Sequence, residues 1–436
     1  MTKLSGFPEL LPAERHVELH VLDHLRRVFE LHGFANVETR AVETTDTLLR
    51  KGEIDNEVYV LRRLQAEDQE SDVGLGLHYD LTVPFARYVL ENAGRLEFPF
   101  RRYQIQKVWR GERPQQGRFR EFTQADIDVV AKDELAFHFD VEIAQVMAEA
   151  LGDLPVPHLT LQVSNRKILE GFYLGLGVAD PPAVMQVIDK LDKLSTDAVA
   201  LQLTDLGLTG FQAAECVNLA QISTADTSFV ERVRAMGVSH ELLDAGLDEL
   251  AQVVGAAHST EGVTVVADLR IARGLDYYTG TVFETRMAGY EQLGSICSGG
   301  RYDRLATDGR STYPGVGISL GVSRLIIPLL ADGLTSDRSV PSSVLVALVD
   351  EDSRSESADV ASRLRARGIP TEVAASAQKF GKQIRYAERR GIPYVWFPGE
   401  SHEVKDIRSG EQVGADPDAW NPPADDLKPQ IKEQHL

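Results

Sequence analysis

Three clusters combine residue types that suit phosphate and a small polar substrate. The first is Arg110, Glu112, Arg118, Arg120 and Phe122, followed by Gln124, Asp126 and Asp128. Guanidinium groups meet phosphate oxygens bidentately and stay charged. A phenyl ring beside them suits an adenine face. Gln124, Asp126 and Asp128 alternate, so a strand projects all three to one face. The second cluster is RGLDYYTGTVFE at 273–284. Gly274 permits close backbone approach. Arg273 and Asp276 bring charges that rarely enter a core without a partner. Strand alternation puts Tyr277 and Tyr278 on opposite faces, one toward a pocket and one into packing. The third is CSGGRYD (297–303) with GVGISLGVSRL (315–325), where glycines let strand and helix pack closely and leave room for a ligand. Arg324 then starts a helix within reach of a phosphate. Each cluster also has a plainer reading: an exposed basic hairpin, a core tyrosine pair, an ordinary strand–helix joint. No GxxxxGK[ST] loop is present, and no GxGxxG follows a strand, so arginines and strand backbone must hold any nucleotide.

The elements that position these clusters follow from periodicity. Residues 12–32 have apolar positions at helical spacing, with Pro12 in the first turn and Gly33 as the stop. A strand is expected at 37–42, and 61–73 reads as a polar surface excursion. In LHYDLTVPFARYVLEN, Pro84 falls early in a helix, where its missing N–H is tolerated. Residues 100–130 read as two antiparallel strands around a loop containing Pro114 and Gly117. A helix at 134–152, a strand at 158–165, and strands at 263–269, 277–286 and 315–320 follow. Residues 178–256, with helical spacing and few aromatics, read as an inserted helical module. A linker-like run, GLTSDRSVPSS, precedes alternating strands and helices that predict a small α/β domain with parallel pairings. The last dozen residues read as a disordered polar tail.

Composition sets outer limits. A chain of 436 residues, 43% hydrophobic and 26% charged, suits a soluble protein of two or three domains. No run of 18 apolar residues exists, and the first residues lack a secretory pattern. Two distant cysteines, Cys216 and Cys297, form no metal-ligand spacing and fit a reducing cytoplasm. A net charge of −20 opposes nucleic-acid binding until its distribution is considered. Eight basic residues against two acids lie at 95–120, and again at 363–390. Solvated helix faces account for such patches equally well.

In this order the pieces resemble the class II aminoacyl-tRNA synthetases. WRGE…RFREF resembles their second motif and GVGISLGVSRL their third. RGLDYYTGTVFE and SGGRYD resemble the two signatures of the histidyl-tRNA synthetase family. LHYDLTVPFARY is similar to the amino-group pocket of the archaeal and eukaryotic type, which some bacteria share. KFGKQIRYAERRGIPYVWFPGE resembles the anticodon-binding module. HIGH and KMSKS, the class I signatures, are absent.

The resemblance implies an α+β fold: an antiparallel class II sheet with flanking helices, an inserted helical module and a C-terminal α/β anticodon-binding domain. It divides the chain into catalytic parts at 1–177 and 257–333, the insert at 178–256, a linker at 334–343, the anticodon-binding domain at 344–422 and a tail at 423–436. It implies histidine activation with ATP as substrate, Mg2+ travelling with the nucleotide and no structural metal, then transfer to tRNA(His) by a cytoplasmic homodimer away from membranes. Asp80 and Thr82 would hold the α-ammonium, Gln124 the backbone end, and Asp128 with Tyr277 or Tyr278 the imidazole. Arg110 would grip the α-phosphate, Glu112 the adenine amino group and Phe122 its ring. Arg118 and Arg324 would take the outer phosphates, and Arg273 would be the catalytic arginine. Gln115 and Arg120 lie in the loop expected to meet the acceptor stem, and Lys382 and Arg385 in the anticodon-like region. A negative body with two basic contacts would suit one bent tRNA. Two departures stand out: Arg40 replaces the proline three residues before Glu43 in the motif that helps build the dimer, and Glu9 stands where Asp is frequent. The competing expectations are an idle paralogue that regulates ATP phosphoribosyltransferase and a tRNA-sensing module.

Overall fold

The computed structural model describes residues 4–49, 57–64, 74–257, 259–272, 277–304 and 306–433. The chain forms two compact units, 1–8 with 21–328 and 9–20 with 329–436.

The larger unit is built on a nine-stranded sheet. Its middle is antiparallel throughout, in the spatial order Phe100–Trp109, Glu121–Val130, Gly315–Gly321, Cys297–Tyr302, Tyr278–Met287 and Leu159–Asn165. Ala35–Asn36 adds in parallel at one edge; Val263–Asp268 adds in parallel at the other, with Ser223–Thr224 antiparallel beyond it. Period-2 alternation gives the sheet two unlike faces. In Glu121–Val130, Ala125, Ile127 and Val129 are buried, as are Gln124, Asp126 and Asp128 between them. The strand therefore sends an apolar row one way and a polar row the other. The helix His138–Gly152 supplies buried Ile143, Ala144, Met147 and Leu151 and packs on this sheet. The helix Thr82–Asn92 brings Phe85, Ala86 and Val89 against Val130 and Tyr302.

The expected strand at 37–42 divides instead. Ala35–Asn36 joins the main sheet and Val42–Thr44 joins a separate three-stranded sheet with Leu75–Leu77 and Val60–Leu61. The helical segment after residue 178 ends in Glu241–Ala256, which packs against Arg166–Gly175 and the Leu159–Asn165 strand. A Cβ on Gly171 would lie 2.3 Å from Leu243 N, so this helix crossing needs glycine. Together with the Ser223–Thr224 strand, that packing makes the segment part of the larger unit rather than an appended body.

In the second unit, five strands run in the order Thr371–Val373, Val344–Val346, Tyr394–Phe397, Glu403–Asp406 and Gln412–Gly414. The first three are parallel, as expected, and the last two antiparallel. Val344, Val346 and Trp396 pack on one face with Val360 and Leu364; Leu345, Ala347 and Val395 pack on the other with Ala387 and Ile392. The linker-like and tail segments are more ordered than their composition implies. Leu334–Ser336 pairs antiparallel with Ile431–Glu433, and the ladder's backbone hydrogen bonds hold both.

Candidate active site

The polar face of the main sheet carries the site. Register sets Arg102 opposite Asp128, Gln104 opposite Asp126 and Gln106 opposite Gln124. On the far side, Gly317 lies opposite Asp128, Ser319 opposite Asp126 and Gly321 opposite Gln124. The next strand adds Gly300 and Ser298 to the same rows. Two adjoining recesses result.

The first recess, a cleft of about 90 Å3, is lined by Arg110, Glu112, Arg118, Phe122, Gln124 and Arg324 among others. All five side chains assigned to ATP thus meet at one place. Arg110 donates from Nε to the Tyr79 carbonyl at 3.0 Å and lays its guanidinium over the Phe122 ring, 5.1 Å from the centroid. Glu112 pairs with Arg118 at 3.2 Å, and Arg120 donates to the Glu112 carbonyl at 3.2 Å. Gln115 and Arg118 close the loop by reciprocal backbone hydrogen bonds around Gly117, whose φ of 71° favours glycine.

The second recess is lined by Thr82, Asp126, Asp128, Tyr277, Tyr278 and Tyr302, floored by Gly300 and Gly317. Ser298 and Ser319 line both recesses and mark where they meet. Gln124 donates from Nε2 to Asp126 and to the Ser319 hydroxyl, while its Oε1 is buried with no hydrogen-bond partner among the described residues. That oxygen is an acceptor suited to a substrate ammonium. Burial pushes the Asp126 carboxyl above its ordinary range, and the Arg102 charge opposes that rise. Asp80 does not line the recess. It is buried just before the helix that presents Thr82, where Oδ1 accepts from Val83 N at 3.1 Å.

The expectation that Tyr277 and Tyr278 face opposite ways is wrong. Their rings lie together, centroids 4.1 Å apart, and both line the second recess. Tyr277 precedes the Tyr278–Met287 strand, and register slips between Tyr278 and Val282, so simple alternation does not reach it. Arg273, with Gly274 and Asp276, lies outside the described residues. Both tyrosines also line a wider cleft of about 980 Å3 with Gln115, Arg118, Lys190, Lys193 and Arg324.

Sequence reasoning singled out the segments holding Ser298, Tyr302 and Ser319 without giving those residues roles, and it missed Arg102, which pairs with Asp128. One signal was present: Arg102, Gln104 and Gln106 alternate in RRYQIQKVW just as Gln124, Asp126 and Asp128 do. Two polar rows on adjacent strands must share a face once the strands pair.

Intramolecular partners take up part of both basic patches. In the first, Arg101 pairs with Glu142, Lys107 with Glu121, and Arg102 is buried. In the second, Arg363 pairs with Asp418, Arg365 and Arg367 donate to backbone carbonyls, and Arg390 pairs with Glu372 at 2.8 Å. Lys379, Lys382, Arg385 and Arg389 remain exposed on or beside the helix Phe380–Arg390. Lys382, Arg385 and Arg389 line a cavity of about 490 Å3 with Tyr386. The Arg40 departure has a structural counterpart. Glu43 is fully buried, and its two oxygens take Arg40 at 3.0 Å and Arg87 at 2.8 Å.

Comparison with known proteins bears on the family and the fold. Residues 6–325 match the sequence model for histidyl-tRNA synthetase, and residues 343–419 that for an anticodon binding domain. The histidine–tRNA ligase of Micrococcus luteus is 60% identical, with 98% of each chain covered. That of Cutibacterium acnes is 59% identical, again over 98% of each chain. The crystal structure of histidyl-tRNA synthetase from Nostoc sp. PCC 7120 superposes with a TM-score of 0.85 at 33% identity, covering 95% of this chain and 96% of that one. An ATP phosphoribosyltransferase regulatory subunit/histidyl-tRNA synthetase from Bacillus halodurans shares the fold, with a TM-score of 0.71 at 20% identity over 88% of this chain and 96% of that one. The signatures, the antiparallel sheet and the whole-length relatives converge, and the chain belongs to the histidyl-tRNA synthetase family.

Proposed function

We propose that this chain is a histidine–tRNA ligase: it activates L-histidine with ATP and transfers it to the 3′ end of tRNA(His). The observation that carries the reading is the junction at Ser298 and Ser319, where an arginine-lined cleft opens into a pocket of carboxyls and phenols. A substrate carboxylate held there reaches a phosphate in the neighbouring cleft.

In the first step the histidine carboxylate attacks the α-phosphorus in line, and pyrophosphate leaves. Charge grows on the equatorial and bridging oxygens, so fixed cations and positioning do most of the work. Arg110 takes the α-phosphate, Phe122 the adenine ring, Glu112 the adenine amino group, and Arg118 and Arg324 the outer phosphates. Arg273 keeps its assigned role as the catalytic arginine. Thr82, Asp80 and the Gln124 Oε1 receive the ammonium end, and Asp128 with the two tyrosines reads the imidazole. In the second step the terminal ribose hydroxyl of tRNA attacks the adenylate, with an adenylate phosphate oxygen as proton acceptor. The wider cleft beside Gln115 and Arg118 has room for that end of the nucleic acid. Guanidinium donors dominate the phosphate end, and Glu112 is already paired there, so this set fits phosphate oxygens rather than a resident cation. Magnesium enters as part of the nucleotide substrate. Gln115, Arg120, Lys382 and Arg385 contact tRNA, and the working form is a cytoplasmic homodimer.

The test is ATP–pyrophosphate exchange. Label should pass from pyrophosphate into ATP only when L-histidine is present. A regulatory or sensing protein would show no exchange, and that result would overturn the proposal.

A further inference from the structure

Arg102 contacts neither recess as a lining residue, yet it is among the largest fully buried side chains in the protein. A buried guanidinium loses its hydration and persists only where it is paired. Its Nη2 lies 2.8 Å from Asp128 Oδ2 and 3.8 Å from an Asp126 oxygen, as ion-pair contacts rather than aligned hydrogen bonds. Its flat face rests on Phe85, with Cζ 4.2 Å from the ring centroid. The other Asp128 oxygen accepts from the Tyr302 hydroxyl at 2.8 Å. On the third side a Cβ at Gly317 would lie 2.2 Å from Asp128 Oδ1, so only glycine fits there. The carboxylate is thus held between a cation, a phenol and a strand with no room for a side chain.

We propose that Arg102 is a positioning residue for substrate selection: it holds Asp128 as an ionised, oriented acceptor for the imidazole N–H. Through its stack on Phe85 it also ties that acceptor to the helix carrying Thr82. The argument is electrostatic. Asp126 and Asp128 are buried neighbours on one strand face, and two such carboxyls without a cation tend to share a proton. Asp128 would then alternate between acceptor and donor, and the match to imidazole would blur. The guanidinium lies nearer Asp128 than Asp126 and so favours the charge on Asp128. This inference rests on the histidine-activating reading above.

Histidine-dependent ATP–pyrophosphate exchange on the full chain tests it, using Arg102→Met, Arg102→Lys, Asp128→Asn and the Arg102→Met/Asp128→Asn pair. Arg102→Met should raise the histidine KM about tenfold or more, because the acceptor loses its charged partner. The ATP KM should stay within about twofold. Arg102→Lys should fall between, since it keeps the charge and loses the planar fork. The double variant should be little worse than Asp128→Asn, because Arg102 acts through that carboxylate. Additive effects, or equal rises in both KM values, would overturn the inference. Should Arg102→Met fail to fold, Arg102→Lys decides: a wild-type histidine KM overturns it. Absence of histidine dependence in the wild-type chain would instead remove the underlying reading.

Discussion

At the scale of residues, the account turns on a division of labour along one strand. In the proposed reading Gln124 serves the backbone end of the substrate and Asp128 the ring, four positions on along the same strand. Asp128→Ala should therefore raise the histidine KM roughly ten- to a hundredfold while sparing that for ATP, since a hydrogen bond to a charged group is worth about 1.5–3 kcal/mol. Steady-state exchange kinetics measure this directly, and matching rises for both substrates would contradict the assignment. The polar alternation of Gln124, Asp126 and Asp128 was readable from the sequence because period 2 is a local property. The partnership of Arg102 with Asp128 was not, because it depends on strand register, which residues far apart decide together. The tyrosine pair misled for a related reason: Tyr277 lies just outside its strand, where alternation no longer governs direction.

At the scale of elements, helices and strands act as mounts. The Cys297–Tyr302 strand offers Ser298 to the site and sends Arg301 to Asp140 at 2.8 Å, tying the helix His138–Gly152 to the sheet. Burial raises the Asp140 carboxyl to about 6 despite that partner. Its folded pKa exceeds its unfolded one, so between about pH 4 and pH 6 the native state holds more protons than the unfolded chain. Stability from this group then falls as pH rises through that window, by roughly 3 kcal/mol at most. Chemical unfolding of wild type and Asp140→Asn should show wild type losing ground to the variant between pH 4 and pH 6. A pH-independent difference would contradict the raised value. Most elements were legible from apolar spacing. The Leu334–Ser336 and Ile431–Glu433 pair was not, because each strand is short, polar and completed only by a segment about a hundred residues away.

At the scale of the whole molecule, the net charge of −20 and a nucleic-acid partner are reconciled by location. Half of the second basic patch is spent on internal ion pairs and carbonyls, and the rest gathers on one exposed helix. Lys382→Glu with Arg385→Glu should raise the KM for tRNA roughly tenfold or more and steepen no other parameter, because phosphate contacts are electrostatic and salt-sensitive. Unchanged aminoacylation alongside unchanged exchange would place the tRNA elsewhere. The central claim is that one pocket, built from Asp128, Tyr277 and Tyr278, selects a single amino acid for a single tRNA. Its most direct test is aminoacylation of total tRNA by the purified chain with each of the twenty amino acids in turn. Histidine alone should be attached, and only to tRNA(His); attachment of another amino acid at a comparable rate, or of none, would contradict the account.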